Sequence, residues 1–296
     1  MGRAAFAPAK VNLFLHVGAP GDDGYHPLCS LMAFADVGDR LSTHALEGHG
    51  LRIHGPFGAA LANETDNLVE RACAALMAEL RGPAAVVGLA LEKHLPVASG
   101  LGGGSSDAGA ALRLLRAELR QDISDERLEA IAARLGADGP ACLWGRPVIA
   151  QGRGERLTPA PRLPLLDAVL VNPGVGVATA AVYAAFDRAG RFGNVAPPAC
   201  PDDFESAAEM AAWLSGLRND LQAAAIETAP AVGTVLDTLA DEPETLLARV
   251  SGSGGTCFAL CSSDIEAESL AERLEAMAPH WWVKRCQLGG PWPEDH

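Results

Sequence analysis

The sequence predicts a two-domain protein of the α+β class, and three observations support that prediction. The chain has 296 residues, a length at which globular chains commonly divide into two domains. Strand patterns dominate its beginning, and helical patterns follow. Three prolines, Pro159, Pro161 and Pro164, crowd one segment, which is typical of a linker. We therefore expect an amino-terminal domain at residues 1–156 and a carboxy-terminal domain at residues 157–296.

Composition and charge limit the partners that the protein can have. The chain is 49% hydrophobic and 20% charged, which permits a sizeable core and argues against disorder. Its formal net charge is −14, whereas nucleic acids and anionic membranes are bound through clustered Lys and Arg. We expect neither partner. Lysine occurs only at Lys10, Lys93 and Lys284, so any phosphate would be bound mainly by backbone N–H groups and a few side chains.

The cysteines and the uncharged segments indicate a cytoplasmic protein. The seven cysteines are an odd number, and no pair has the C-x-x-C spacing of zinc and redox sites. Reduced thiols are the simplest interpretation. No targeting segment is visible at the amino terminus. The longest uncharged stretch, Ala168–Phe186, contains Asn172-Pro173-Gly174, which predicts a buried strand, a loop and the start of a helix instead of a membrane span.

The amino-terminal half begins with strands. Apolar and polar residues alternate from Phe6 to Val17, which predicts a half-buried strand. Apolar runs follow at 28–34 and 51–53, after a turn-rich segment. Thr65 is a plausible N-cap for a helix whose apolar residues continue to Leu80. The remaining predicted elements of this half are a strand at 86–91 and helices at 108–119 and 125–135, the last ending at Gly136 as a C′ glycine.

The carboxy-terminal half is predicted in the same way. Its one long loop is the Gly-, Pro- and Asp-rich segment from Arg188 to Asp203. The predicted elements are strands at 168–171, 256–260 and 281–285 and helices at 207–217, 220–229 and 265–277.

The segment Pro96–Asp107 is the most unusual part of the chain. It joins a predicted strand to a predicted helix and contains Ser99-Gly100-Leu101-Gly102-Gly103-Gly104-Ser105-Ser106. Glycine lets a backbone approach a ligand closely, and the start of a helix presents free N–H groups to an anion. The segment therefore predicts a phosphate loop. The alternative is a flexible turn in which Ser105 or Ser106 is a simple N-cap.

The common phosphate motifs do not fit this segment. A Walker loop needs Gly-Lys-Ser/Thr, and none of the three lysines has those neighbours. The dinucleotide motif G-x-G-x-x-G has Ser105 where its third glycine belongs. The H-R-D and D-F-G sequences of protein kinases are absent.

The segment from Pro96 to Ser106 has the pattern P-x-x-x-G-L-G-x-G-S-S. This pattern resembles the central motif of the GHMP kinase superfamily. Pro8-Ala9-Lys10-Val11-Asn12-Leu13 resembles its amino-terminal motif, and Gly252-Ser253-Gly254-Gly255 resembles its carboxy-terminal glycine motif. The resemblance implies an amino-terminal domain that is ribosomal-protein-S5-domain-2-like and a carboxy-terminal domain that is ferredoxin-like. The active site would lie in the cleft between them.

Four further segments narrow the resemblance to the members whose acceptor alcohol carries a cytidine diphosphate, in isoprenoid biosynthesis. They are Asp23-Gly24-Tyr25-His26, Gly102-Gly103-Gly104-Ser105-Ser106-Asp107-Ala108, Leu135-Gly136-Ala137-Asp138 and Asn172-Pro173-Gly174. Three residues depart from the usual pattern of these members. Gly109 stands where alanine is usual, and Gly139 and Cys142 stand where larger apolar residues are usual.

The resemblance implies roles for three residues in the transfer of phosphate to an alcohol. Asp138 would be the base, although an Asp in Gly-Ala-Asp-Gly-Pro is also typical of a turn or an N-cap. Lys10 would be its partner, and would either hold the carboxylate ionised or stabilise charge on the phosphates. The alternative for Lys10 is a solvated strand lysine. Asn12 would orient one of these groups at the substrate site.

The resemblance also implies the ligand contacts. Tyr25 and His26 would hold the cytosine, and Tyr183 would add a second aromatic face, for which core packing is the alternative. Gly252, Ser253 and Gly254 would line the substrate side. ATP, the co-substrate, would be bound by Pro96, Val97, Ala98, Ser99, Gly100, Leu101, Gly102, Gly103, Gly104, Ser105 and Ser106. Mg²⁺ would be carried by the nucleotide, with Ser105 or Ser106 in reach, because no carboxylate cluster in the sequence indicates a metal cage.

Two other functions remain open from the sequence. The first is a related kinase acting on homoserine or mevalonate, which would have no use for Tyr25 and His26. The second is a catalytically silent nucleotide-binding sensor on the same fold, against which Lys10 and Asp138 argue. The sequence does not indicate an oligomeric state.

Overall fold

The structure is a computed structural model, and it describes residues 3–44, 50–80, 88–119 and 122–292. The strands in the described ranges are β1 Ala4–Val17, β2 Leu28–His44, β3 Leu51–His54, β4 Gly88–Glu92, β5 Val148–Gly152, β6 Arg156–Pro159, β7 Leu166–Asn172, β8 Thr245–Val250, β9 Cys257–Cys261 and β10 Trp282–Gly289. The α-helices are α1 Leu68–Glu79, α2 Gly103–Glu118, α3 Asp125–Leu135, α4 Gly139–Trp144, α5 Thr179–Ala189, α6 Ala207–Ser215, α7 Gln222–Thr228, α8 Pro230–Asp241 and α9 Asp264–Met277. This mixture confirms the predicted α+β class.

One sheet runs through both halves of the chain. Its central path is β3-β4-β2-β10-β7-β9-β8, with β1 added on β2, β5 on β2 and β6 on β5. Only β3 and β4 are parallel among these pairs. The long strand β2 pairs with β1 over most of its length and with β5, β10 and β4 in turn. β10 lies between β2 and β7 and so joins the two halves. The predicted domain boundary at 156/157 stays a prediction.

Strand β1 is buried on both faces, and the expectation of a half-buried strand is wrong. Lys10, Asn12 and His16 are at most 4% exposed although they alternate with apolar residues. The helices α1, α2 and α3 pack with one stretch of β1 and β2 in a common apolar cluster. Another stretch of β1 packs with β7, β9 and α6. Because both faces of β1 are covered, its polar side chains need partners inside the protein.

Three helix boundaries differ from the predictions for local physical reasons. Asn67, not Thr65, caps α1, since its side chain accepts a hydrogen bond from the Val69 N–H at 2.9 Å. Helix α2 begins at Gly103 instead of residue 108, after the left-handed residue Gly102. Gly136 follows α3 with φ 169°, which is an extended conformation and not the left-handed one of a C′ glycine.

Several elements were not predicted, and some boundaries moved. Arg188, expected in a loop, belongs to α5, and residues 86–87 of the predicted strand at 86–91 lie outside the described residues. The unpredicted elements are β5, β6, β8, α4 and α8. Most are short or partly exposed, and such segments have weak apolar periodicity. Within the described ranges, no helix combines the length and apolarity that crossing a bilayer requires.

Candidate active site

A cavity of about 1620 Å³ lies where the two halves of the chain meet. It is lined by residues that are far apart in sequence: Lys10, Asn12, Tyr25, His26, Pro96, Val97, Ala98, Ser99, Gly100, Gly102, Gly103, Gly104, Ser105, Asp138, Tyr183, Gly252 and Ser253. Leu101 and Ser106 are buried behind this lining. Gly254 also stands outside this lining, and a Cβ added there would lie 2.9 Å from the Ala225 Cβ and 3.2 Å from the Val250 Cγ1. The structure thus brings most of the sequence-predicted site residues to one cavity.

Lys10 and Asp138 form an ion pair in this cavity. Lys10 Nζ lies 3.2 Å from Asp138 Oδ2 and donates a 2.6 Å hydrogen bond to Asn12 Oδ1. Asn12 in turn donates to Ser30 Oγ at 2.7 Å. The lysine side chain is 4% exposed, whereas the aspartate is 32% exposed. Lys10 is therefore a fixed, buried cation, and the carboxylate that it faces is open to the cavity.

The Asp138 side chain does not act as a helix cap, which was one of the alternatives left by the sequence. Asp138 immediately precedes α4, but its side chain makes no capping hydrogen bond. It pairs with Lys10 instead. Likewise, Ser105 and Ser106 lie inside α2, whose N-cap is Gly102. None of these side chains is a simple cap.

The phosphate loop Pro96–Ser106 is held in place by backbone contacts with β1 and with the carboxy-terminal half. Lys10 N donates to Leu101 O at 2.8 Å, and Thr256 N donates to Ser99 O at 2.9 Å. Ser251 Oγ donates to Gly100 O at 3.1 Å. These contacts make the loop a fixed part of the cavity wall.

Two glycines of this loop are required by close approach and by backbone conformation. Gly100 has φ +78°, and a Cβ there would lie 2.4 Å from Ser251 O. Gly102 has φ +63° and precedes α2 without offering a side chain to cap it. The first N–H groups of α2 have no intrahelical partner, and Gly103, Gly104 and Ser105, at the start of this helix, line the cavity. This is an arrangement suited to an anion.

The second glycine motif lies against the lysine and its asparagine. An added Cβ at Gly252 would be 3.1 Å from Asn12 Oδ1 and 3.5 Å from Lys10 Nζ. Asn219 Nδ2 donates to Gly252 O at 2.8 Å and fixes the loop from below. Ser253 Oγ is 2.9 Å from the Thr179 hydroxyl of α5. The motif thus closes the cavity beside Lys10 and Asn12.

Tyr25 stands at the rim of the cavity with an open ring face. Its side chain is 60% exposed. The Arg153 guanidinium carbon lies 4.1 Å from the ring centre, and Arg153 also pairs with Asp23. An exposed aromatic ring that is held by a guanidinium is suited to stacking on a planar ligand.

His26 is fixed by oxygens on both sides. Nδ1 is 2.8 Å from Gly18 O, and Nε2 is 3.1 Å from Asp187 Oδ1. Its ring centre is 5.1 Å from that of Tyr183. The side-chain nitrogens thus already have protein partners, and the ring belongs to an aromatic group at the cavity wall.

Tyr183 contacts both the hydrophobic core and the cavity, so its position is compatible with both alternatives from the sequence, core packing and a ligand contact. It packs against the apolar cluster of α5, α7 and α8, and it lines the cavity. Burial, with the negative charges of Asp138 and Asp187, raises the pKa of Tyr183 to about 12. The phenol therefore stays neutral at physiological pH.

Sequence reasoning missed a buried cluster under the phosphate loop. Lys93 Nζ lies 2.5 Å from Asp39 Oδ2 and 2.7 Å from Asp107 Oδ2. Burial opposes the charge on Lys93, but the two carboxylates outweigh it and raise its pKa. Burial raises the pKa of Asp107 as well. The scarcity of lysine was a usable signal for Lys93, whereas Asp39 has no sequence signal.

The donor set for a metal is sparse. Over the described ranges, no three His, Cys, Asp or Glu side chains come together as a metal-binding group would. Ser105 lines the cavity at the start of α2. The free N–H groups of α2 suit the phosphates, and the Ser105 hydroxyl suits a cation that arrives with them, because Mg²⁺ keeps several waters and few protein ligands.

The fold, the two glycine motifs and the lysine–aspartate pair define a small-molecule kinase of the GHMP class. The family model described as "GHMP kinases N terminal domain" matches residues 67–146. The family model described as "GHMP kinases C terminal" matches residues 198–280. The chain is 63% identical to a 4-diphosphocytidyl-2-C-methyl-D-erythritol kinase of Caulobacter sp. (strain K31), over 97% of this chain and 98% of that protein. It belongs to the 4-diphosphocytidyl-2-C-methyl-D-erythritol kinase family.

Solved structures agree with this family. The crystal structure of a 4-(cytidine 5′-diphospho)-2C-methyl-D-erythritol kinase matches with a TM-score of 0.76 and 35% identity, over 97% of this chain and 99% of that one. A homoserine kinase from Cytophaga hutchinsonii matches with a TM-score of 0.67 and 19% identity, over 98% of this chain and 94% of that one. The second match shows a shared fold alone.

Proposed function

We propose that this protein transfers the γ-phosphoryl group of ATP to the 2-hydroxyl of 4-diphosphocytidyl-2-C-methyl-D-erythritol, a step of the non-mevalonate route to isopentenyl diphosphate. The observation that carries the proposal is the Lys10–Asp138 pair, 3.2 Å apart, in one cavity with the phosphate loop and an exposed aromatic ring. Family membership supports the same activity.

In this reaction Asp138 takes the proton of the acceptor hydroxyl. The freed oxygen forms a bond to the γ-phosphorus, and the bond between that phosphorus and the β,γ-bridging oxygen breaks to release ADP. Lys10, fixed by Asn12 at 2.6 Å, orients the carboxylate and offers positive charge to the transferred group. Catalysis then depends on position and charge.

The phosphate loop and the first turn of α2 bind the triphosphate of ATP through backbone N–H groups. Ser105 is within the same lining and would hold Mg²⁺ together with the phosphates. When bound, Mg²⁺ supplies charge neutralisation for the phosphate oxygens. The lining residues Gly252 and Ser253 bound the acceptor side.

The cytidine of the acceptor is placed at the rim, where Tyr25 stacks on the base. His26 and Tyr183 form the wall behind it, since their ring centres are 5.1 Å apart. A substrate with no base would leave this rim unused. This is the reason to prefer the cytidylylated acceptor to homoserine or mevalonate.

ADP release with Mg-ATP and each of three alcohols tests this function: the cytidylylated methylerythritol, homoserine and mevalonate. We expect turnover with the first alone. Turnover with homoserine or mevalonate would assign the protein to another kinase type. ATP binding with no turnover of any of the three would favour a nucleotide sensor.

A further inference from the structure

The buried cluster of Asp39, Lys93 and Asp107 lies directly under the phosphate loop. Its three residues come from different segments: β2, the residue after β4, and α2. Each is at most 3% exposed. Lys93 Nζ contacts both carboxylates, at 2.5 Å and 2.7 Å. One ammonium therefore links a strand of the sheet to the helix that follows the loop.

The cluster holds the loop at its entry and at its exit. At the entry, the second oxygen of Asp39 accepts hydrogen bonds from the backbone N–H groups of His94 and Leu95, at 2.6 Å and 2.8 Å. At the exit, Asp107 follows Ser106 and is bonded to Lys93. The loop Pro96–Ser106 is thus held at one end by Asp39 and at the other end by Asp107, and Lys93 bonds to both of these residues.

Lys93 also lies against the first residue of α2. A Cβ added at Gly103 would be 3.0 Å from Lys93 Nζ and 3.6 Å from Asp39 Oδ2. Both Lys93 and Gly103 line the cavity. Movement of the ammonium would therefore move the helix start at which the phosphates of ATP are proposed to bind.

A purely stabilising role is a poor account of this cluster. Buried ion pairs are often no more stabilising than apolar side chains of the same volume, because the charges lose their hydration. A second acidic side chain on the same ammonium adds another group that loses its hydration. In addition, the cluster fixes the relative positions of the groups that it joins, since charged hydrogen bonds are short and have a defined geometry.

We propose that Asp39, Lys93 and Asp107 form a positioning clamp that fixes the phosphate loop and thereby sets the affinity for the triphosphate of ATP. This inference rests on the proposed function, because it takes the loop as the ATP site. The three act as positioning residues, since each is at most 3% exposed and is bonded within the clamp.

The test uses two full-length variants, Lys93→Met and Asp107→Asn. Loss of a charged hydrogen bond in the clamp is expected to weaken Mg-ATP binding by about tenfold to a hundredfold. Calorimetry with Mg-ATP gives the Kd, and steady-state kinetics give the KM for each substrate. The KM for ATP is expected to rise with the Kd, and the KM for the cytidylylated acceptor to stay unchanged.

Two control variants separate positioning from stability. Leu270→Ala removes a buried side chain of α9 and lowers the Tm away from the loop. Lys284→Met removes a lysine that is exposed on β10. Both controls are expected to keep the wild-type Kd for Mg-ATP, measured below their Tm.

The proposed clamp is contradicted if the folded variants bind Mg-ATP as tightly as Leu270→Ala does. It is also contradicted if the KM values of both substrates rise together. If Lys93→Met does not fold, Asp107→Asn decides, because the amide keeps the volume of the side chain and lacks its negative charge. A wild-type protein that binds Mg-ATP and turns over none of the alcohols overturns the proposed function. The Kd comparison tests the clamp in either case.

Discussion

Asp138 is the most consequential single residue because it joins a buried cation to an open cavity. Its backbone stands at the start of α4, and its carboxylate makes no cap there. Lys10, to which it pairs, is fixed by Asn12 and enclosed by the second glycine motif. The arrangement places one oxygen on Lys10 and leaves the carboxylate open to the cavity.

Replacement of Asp138 by Asn is expected to lower kcat by about 10²–10⁴, the usual contribution of a general base. The amide retains the shape of the side chain but does not take the proton. Stopped-flow or coupled ADP assays give kcat, and calorimetry checks that Mg-ATP still binds. A variant with wild-type turnover would remove Asp138 from the role of base.

Tyr25 is predicted to affect one substrate only. Tyr25→Ala removes the ring at the rim, and loss of base stacking is expected to raise the KM for the cytidylylated acceptor by about tenfold to a hundredfold. Tyr25→Phe keeps the ring and serves as the matched control. A rise in the KM for ATP, with the acceptor KM unaltered, would contradict the assignment.

At the scale of elements, α2 and α4 approach unusually closely at Gly109. A Cβ there would be 2.8 Å from Cys142 O and 2.9 Å from the Leu143 Cα. Helix α4 follows directly on Asp138. The contact between two helices thus determines where the Asp138 carboxylate lies.

Gly109→Ala is expected to lower the free energy of unfolding by about 1–3 kcal/mol through overpacking. It is also expected to lower kcat, because α4 must move. Gly136→Ala is the matched control: its backbone is extended, and an added Cβ meets no atom within 4 Å. Urea unfolding measures the free energy of unfolding of both variants. Equal stability of the two variants would show that α4 shifts without cost.

How far the sequence predicts these elements depends on whether the signal is local. The phosphate loop and the Lys10 strand are continuous strings of residues, so their composition predicts both the loop and its neighbours. Asp39 lies far from Lys93 in sequence and has no motif around it, and only the pairing of β2 with β4 brings them together. The start of α2 at Gly103 was also missed, because glycine lowers helical propensity and conceals a helix start.

At the scale of the whole molecule, the burial of the cysteines determines which thiols react. Among the seven cysteines, all of which lie in the described ranges, Cys200 alone is exposed. Burial raises the pKa of Cys29 and Cys73 to about 11 and that of Cys142 to about 12. A raised pKa leaves less thiolate at a given pH, and the thiolate is the reactive form.

Native protein at pH 8 is therefore expected to show one rapidly reacting thiol with Ellman's reagent, and all seven after denaturation. Burial and the charge of Asp202 also raise the pKa of Cys200, but its exposure leaves it accessible. A Cys200→Ser variant is expected to lose the rapid phase. Rapid reaction of several native thiols would contradict the buried positions.

The sheet that joins the halves also sets an order of events during synthesis. β10 pairs with both β2 and β7, and both of those strands leave the ribosome long before it. Until β10 emerges, β7 has an unpaired edge along its length and β2 lacks its partners at Phe34 and Ala35, and an unpaired edge is a site for mispairing with other chains. The nascent chain must therefore be shielded or remain loosely ordered at the centre of its sheet. Kinase activity must wait for the last of the described strands.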